Sequence, residues 1–86
     1  MKLSERTRKI IIIIGNNSYF EREQTISDVR KVAETTISHT QKIIYELEKN
    51  GFITREERGR RKPITLTKEG KKAYHCLRIL NEVGLE

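Results

Sequence analysis

Hydrogen-bond donors recur at helical spacing between Thr36 and Phe52, and this is the stretch best suited to chemistry. At about 100° per residue, one side of a helix here would carry Ser38, Gln41, Lys42, Tyr45 and Lys49, with His39 at its margin. Such side chains donate hydrogen bonds to base edges and phosphate oxygens, and a helix fits the width of the DNA major groove. The pattern predicts a recognition helix for double-stranded DNA. The alternative is an ordinary amphipathic surface helix, whose outer face is also polar.

The opposite side of this helix is apolar, and it predicts how the helix is held. It would carry Ile37, Thr40, Ile43, Ile44 and Leu47. Thr36 is placed to cap the first turn, and Gly51 is placed to end the last. We expect this side to be buried, so that the donor side stays free.

A second helix is predicted immediately before the first. The spacing of Thr25 and Asp28 is that of a capping box, and it opens a helix that runs to about Glu34. The shared apolar face would contain Ile26, Val29, Val32 and Ala33. Glu34 and Thr35 leave room only for a turn, so residues 25–50 are predicted to form a helix-turn-helix pair.

The apolar period changes to two after Gly51, which predicts a β-hairpin over about residues 52–67. Gly59 would form the tip, and Pro63 is tolerated at an edge strand or its first residues. The tip is basic, with Arg58, Arg60, Arg61 and Lys62. A run of charges usually lies in solvent for solubility, but its place at a hairpin tip predicts contacts with phosphates or the minor groove.

The order of these pieces resembles winged-helix transcription regulators, above all those of the multiple-antibiotic-resistance-regulator (MarR) type. The matching features, within about residues 25–75, are the run from Leu47 to Ile53, the Arg58–Arg61 tip and the run from Leu66 to Gly70. The resemblance implies an α+β winged helix-turn-helix fold with a three-helix core, a hairpin wing and a C-terminal helix. It also implies a sequence-specific regulator of transcription, which we expect to be a repressor. The chain has no room for the long terminal helices that build the dimer in full-length MarR-type repressors, so a homodimer is predicted from the apolar residues of the chain instead. The turn lacks the glycine that is common in this family.

Flanking helices complete the predicted domain, which spans residues 1–86. Helix 1 is expected at about residues 4–14, and Gly15–Ser18 is expected to stop it. Residues 15–25 are expected to form a loop or a helix extension that leads to a short edge strand. The C-terminal helix is expected at about residues 68–83, with Cys76 on its buried stripe. Dimerisation is predicted through apolar residues of both helices, namely Ile10, Ile13, Leu77, Leu80 and Val83.

Size and charge agree with this interpretation. A chain of 86 residues with 35% hydrophobic content makes one small domain. Twelve Ile, six Leu and three Val are a generous apolar supply for that size, which favours a second copy as partner. The net charge is +6, and residues 51–86 carry nine basic against five acidic side chains. This surplus favours a polyanion, with nucleic acid ahead of an anionic membrane surface.

Other classes of protein are disfavoured by what the sequence contains. A lone cysteine, Cys76, excludes an intrachain disulfide and indicates a reducing, cytoplasmic setting. The longest apolar run, Ile10–Ile14, is far too short to span a bilayer. His75 and Cys76 point about 100° apart on a helix, so no metal site is predicted. No cofactor motif or catalytic constellation is visible, and we expect no enzyme. Leu85 and Glu86 are also typical of a cloning remnant and carry no weight.

Two alternative functions share the same fold. One is an architectural or replication-associated DNA binder with little sequence preference. The other is a protein-interaction module, in which Tyr45 and Ile79 would contact protein instead of DNA. The sequence does not identify an operator, regulated genes or a small-molecule effector.

Overall fold

Three helices pack around a common core and are followed by a short hairpin and a fourth helix. In the computed structural model, which describes residues 4–57, 59–82 and 84, the helices are α1 (Glu5–Tyr19), α2 (Ile26–Ala33), α3 (Ile37–Lys49) and α4 (Lys68–Glu82). Strands β1 (Ile53–Arg55) and β2 (Ile64–Leu66) pair antiparallel, with Thr54 opposite Thr65. The predicted α+β winged-helix fold is confirmed.

The isoleucines of α1 form the centre of the core. Ile10, Ile11 and Ile14 are almost completely buried, and α1 packs against α2, α4 and β2. A helix with neighbours on several sides needs apolar residues all round, which explains a run that fits no single amphipathic face. Full burial of each isoleucine contributes about 1.5–3 kcal/mol.

Helix α1 does not stop at Gly15, so the predicted end at residue 14 was wrong. It continues to Tyr19, and its last turn closes where the Phe20 amide donates to the Asn16 carbonyl at 3.3 Å. The glycine serves packing instead, because a Cβ atom at this position would overlap the ring of Tyr74 in α4. The Tyr74 hydroxyl then donates to Asn16 Oδ1 at 2.6 Å. Tertiary contact thus overrides a local stop signal.

The segment between α1 and α2 is anchored by one buried side chain, that of Gln24. Its Nε2 donates to the Ile14 carbonyl at 3.0 Å, and its Oε1 accepts from Asn17 Nδ2 at 2.9 Å. The Gln24 carbonyl accepts from the Ile64 amide of β2 at 2.8 Å. The expected edge strand is thereby reduced to a single strand-like hydrogen bond, while the expected helix extension is present.

The turn between α2 and α3 has no glycine, and Glu34 takes the left-handed conformation in its place, with φ of 54°. Lys9 Nζ donates to the carbonyl of Ala33 at 3.4 Å, which satisfies a group at the end of α2. Thr36 caps α3, since its Oγ1 accepts from the His39 amide at 3.2 Å. The turn fixes α3 relative to α2 and α1.

Three residues predicted to be buried are exposed. Val32 and Ile37 lie at the margins of their apolar faces, because α2 meets the core through Val29 and Ala33 and α3 does so through Thr40, Ile44 and Leu47. Cys76 is exposed because α4 meets the core through Tyr74 and Leu77, and Cys76 points about 100° away from Leu77.

The dimerisation prediction also needs correction. Ile10, Ile13 and Leu77 are buried inside the protomer, so they have no surface to offer a partner. Leu80 is exposed, and so is its neighbour Ile79. Val83 lies outside the described residues. What remains for a partner is a smaller apolar surface on α4, around Ile79 and Leu80.

Candidate nucleic-acid interface

One concave surface joins α3 to the wing, and we call it the reading cleft. Its lining comes from the start of α2, the outer side of α3 and the hairpin, namely Thr25, Ile26, Ser27, Gln41, Tyr45, Arg55, Arg60, Arg61 and Lys62. Two groups predicted separately from the sequence therefore lie together. Gln41 and Tyr45 of α3 face the same space as the basic residues of the hairpin.

The packing of α3 explains why these side chains are presented outwards. Ile43, Ile44 and Leu47 are buried beneath the helix. Thr40, also buried, donates from Oγ1 to the Thr36 carbonyl at 2.9 Å. Tyr45, on the opposite side, is 50% exposed. The helix is held by its inner face, which leaves donor groups free for a ligand.

The other predicted residues of α3 lie outside the cleft lining. Ser38, Lys42 and Lys49 are exposed on α3. Lys42 and His39 also line a hollow beside the first turn of α1. His39 Nε2 is shielded from solvent and has no hydrogen-bond partner among the described residues. His39 thus lies towards α1, away from the wing, and a contact between His39 and DNA stays a prediction.

Carboxylates of the protein itself neutralise part of the wing. Arg61 Nε lies 3.0 Å from Glu23 Oε1, and Lys62 Nζ lies 3.6 Å from Glu57 Oε1. Exposed pairs of this kind contribute roughly 0–1 kcal/mol and exchange easily. A DNA phosphate can therefore replace either carboxylate, and the ion pair within the protein is then lost. Arg58 lies outside the described residues.

Sequence reasoning missed Arg55 and the first turn of α2. Arg55 lies on β1, and its Cζ lies 4.9 Å from the centroid of the Tyr45 ring. The sequence contained a signal for Arg55. Residues two apart on a strand share a face, so Arg55 lies on the same inward face of β1 as Ile53, which belongs to the core. Ser27 is exposed at the start of α2, next to the capping box in which the Thr25 amide donates to Asp28 Oδ2 at 3.0 Å.

The part of the chain that the structure describes contains neither a cluster of metal-ligating side chains nor a membrane-spanning helix. No three histidine, cysteine or acidic side chains come close enough together to hold a metal ion there. None of the helices in that part combines the length and apolar character needed to cross a bilayer.

The fold is similar to that of several solved structures. AF1382 from Archaeoglobus fulgidus superimposes with a TM-score of 0.90 at 21% identity, covering 98% of this chain and 92% of that one. MepR, a transcription regulator of the Staphylococcus aureus multidrug efflux pump MepA, gives 0.83 at 21% identity, covering 98% of this chain and 62% of MepR. The MepR–DNA complex gives 0.81 at 18% identity, with 98% and 68% covered. The predicted likeness to MarR-type regulators is confirmed in the fold.

Family membership rests on a separate comparison. A search of curated proteins gave no significant match. The family model described as the DUF6293 C-terminal winged helix domain matches residues 4–78, from the cap of α1 into α4. Because this match covers most of the sequence, the chain belongs to the family of DUF6293 C-terminal winged helix domains.

Proposed function

We propose that this domain binds double-stranded DNA sequence-specifically and regulates transcription. The observation that carries the proposal is the reading cleft, where Gln41 and Tyr45 lie beside the basic wing. Helix α3 would enter the major groove, and the wing would contact the adjacent phosphates or minor groove. The likeness to MepR, a regulator also solved in complex with DNA, supports this arrangement.

The wing and the outer side of α3 would make different kinds of contact with DNA. Arg60, Arg61 and Lys62 would supply attraction that is independent of sequence and weakens as salt rises. Gln41 is suited to adenine and Lys42 to guanine. Ser38 and Tyr45 would reach base edges or phosphates. His39 and Lys49 would add contacts to the phosphate backbone of DNA.

Selection of bound sequences from a random DNA pool tests the proposal directly. Enrichment of one motif, followed by tighter binding to it than to scrambled DNA, is the expected result. Equal binding to all sequences would favour the architectural alternative. No binding at all would favour a protein-interaction module and would end the DNA proposal.

Replacing Gln41 with Ala should relax selectivity at one base pair of the selected motif. A bidentate contact to a base contributes about 1–3 kcal/mol of discrimination, so the preference there should fall roughly 5- to 150-fold. Fluorescence anisotropy on single-base variants of the motif would measure this. His75→Ala, at an exposed position on α4, is the control. An unchanged preference at every base pair would remove Gln41 from the contacts.

We further propose that the regulator is a homodimeric repressor that occludes a promoter. Two recognition helices would then read half-sites about 34–36 Å apart. The exposed Ile79 and Leu80 on α4 offer the apolar surface for the second copy.

Light scattering at micromolar concentration should give twice the chain mass of 10.1 kDa. A charge at an apolar interface is costly, so Leu80→Asp should return the mass to that of one chain. Lys72→Asp, also exposed on α4, is the control for the added carboxylate. A wild-type mass of one chain would remove the dimer and leave DNA binding to be judged separately.

A further inference from the structure

We propose that Arg55 is a positioning residue for DNA recognition, because it fixes the ring of Tyr45 and thereby sets the preference at one base pair. The inference rests on the proposed function and deepens it. It concerns a strand residue behind the recognition helix instead of a residue on the outer side of that helix.

The guanidinium of Arg55 holds two residues of α3 at once. Its Cζ lies 4.9 Å from the centroid of the Tyr45 ring, and its Nη2 donates to Glu48 Oε1 at 3.0 Å. Tyr45 and Glu48 are three residues apart, so they lie on the same side of the helix. Arg55 itself belongs to β1, which packs against α3. Arg55 therefore connects strand β1 of the wing to α3 through two side-chain contacts.

Burial and charge separate Arg55 from the arginines of the wing. Its side chain is 17% exposed, whereas that of Arg61 is 59% exposed. Its charge is also balanced by Glu48, and one side of the guanidinium is covered by an aromatic ring. A phosphate approaching from solvent reaches Arg61 more easily. The role of Arg55 is thus to hold the ring.

A fixed ring is what selectivity at Tyr45 requires. Tyr45 is half exposed, and it lines the reading cleft beside Gln41. An exposed tyrosine otherwise exchanges between staggered rotamers, which spreads its edge and hydroxyl over several positions. Held under the guanidinium, the ring presents one apolar edge, which suits the methyl group of thymine, and one hydroxyl.

The test is Arg55→Met, which keeps an unbranched apolar stem but removes the guanidinium and its charge. Affinity should be measured on the selected motif and on scrambled DNA at several salt concentrations. Selectivity is expected to fall about tenfold, while the slope of log affinity against log salt changes by less than about 0.3. Arg78→Met is the matched control, because Arg78 also lies over an aromatic ring, at 5.8 Å from Tyr74 on α4.

A double-mutant cycle with Tyr45→Ala separates positioning from direct contact. If Arg55 acts through the ring, Arg55→Met has little further effect once the ring is removed. Additive effects would overturn the proposal. So would an equal loss on both DNAs with the salt slope reduced by about 0.9, which is the result for a phosphate contact.

A second variant covers the case in which Arg55→Met does not fold, as judged by circular dichroism. Glu48→Gln leaves the cation in place but removes its carboxylate partner at 3.0 Å, so selectivity relative to the wild-type protein should fall, by less than about tenfold. If the wild-type protein selects a motif and neither variant changes selectivity, the inference fails alone. If the wild-type protein selects nothing, the proposed function fails first and takes the inference with it.

Discussion

A double variant with Arg60→Ala and Arg61→Ala is expected to bind every DNA sequence more weakly and to depend less on salt. Each phosphate contact adds about 0.9 to the slope of log affinity against log salt, so the slope should fall by about 1.8. Hydrogen bonds to charged groups contribute about 1.5–3 kcal/mol, and Arg61 must first give up Glu23 at 3.0 Å. We therefore expect a loss on the order of 100-fold at low salt. Anisotropy titrations would measure it.

The control for this variant removes the same charge from another surface. Lys71 and Lys72 are exposed on α4 and are not part of the cleft lining. Their replacement by Ala should change affinity only through the long-range electrostatic attraction to DNA, and this attraction is screened by salt. The base preferences of the wing variant should persist, because α3 is untouched. Equal losses in the two double variants would take the wing out of the mechanism.

Replacing Gly15 with Ala should lower the free energy of unfolding by about 2 kcal/mol, against the trend of helix propensity. Alanine normally stabilises a helix interior by about 1 kcal/mol relative to glycine. Here the added Cβ would overlap the Tyr74 ring, and overpacking of a core costs about 1–3 kcal/mol. For a domain of this size, each kcal/mol lowers the melting temperature by about 4–8 °C.

Urea unfolding followed by circular dichroism would measure this change. The control is the same substitution in a Tyr74→Ala background, where the space is open and Gly15→Ala should become stabilising. Tyr74→Ala will itself destabilise, since it also removes the hydrogen bond to Asn16. If Gly15→Ala raised the free energy of unfolding in the wild-type background, α1 and α4 would be able to move apart without losing stability, which would contradict the prediction.

Local patterns predicted the recognition helix and the wing because their signals are local. The apolar period of α3 and the alternation after Gly51 each depend on residues within a few positions of one another. The end of α1 could not be found in this way. The Gly15–Ser18 run is a stop signal by composition, and it is overridden by Tyr74, which lies 58 residues from Asn16 in sequence. The exposure of Cys76 likewise depends on which side of α4 meets α1.

The residues of the candidate site show the same difference between local sequence signals and tertiary contacts. Gln41 and Tyr45 were predicted from helical spacing, and the hairpin arginines from their position at a turn. Arg55 was placed on a strand of the hairpin and given no role, because its ring and carboxylate partners are defined only by how β1 packs on α3. The predicted roles of Arg58 and Val83 fall on residues outside the described part of the chain.

The hydrogen bond between the Gln24 carbonyl and the Ile64 amide has a consequence for aggregation. Unpaired strand edges are templates on which other chains add strands. Here each strand has three residues, and the outer edge of β2 is already paired with the loop at 2.8 Å. Growth of the sheet across molecules is thereby disfavoured at this edge.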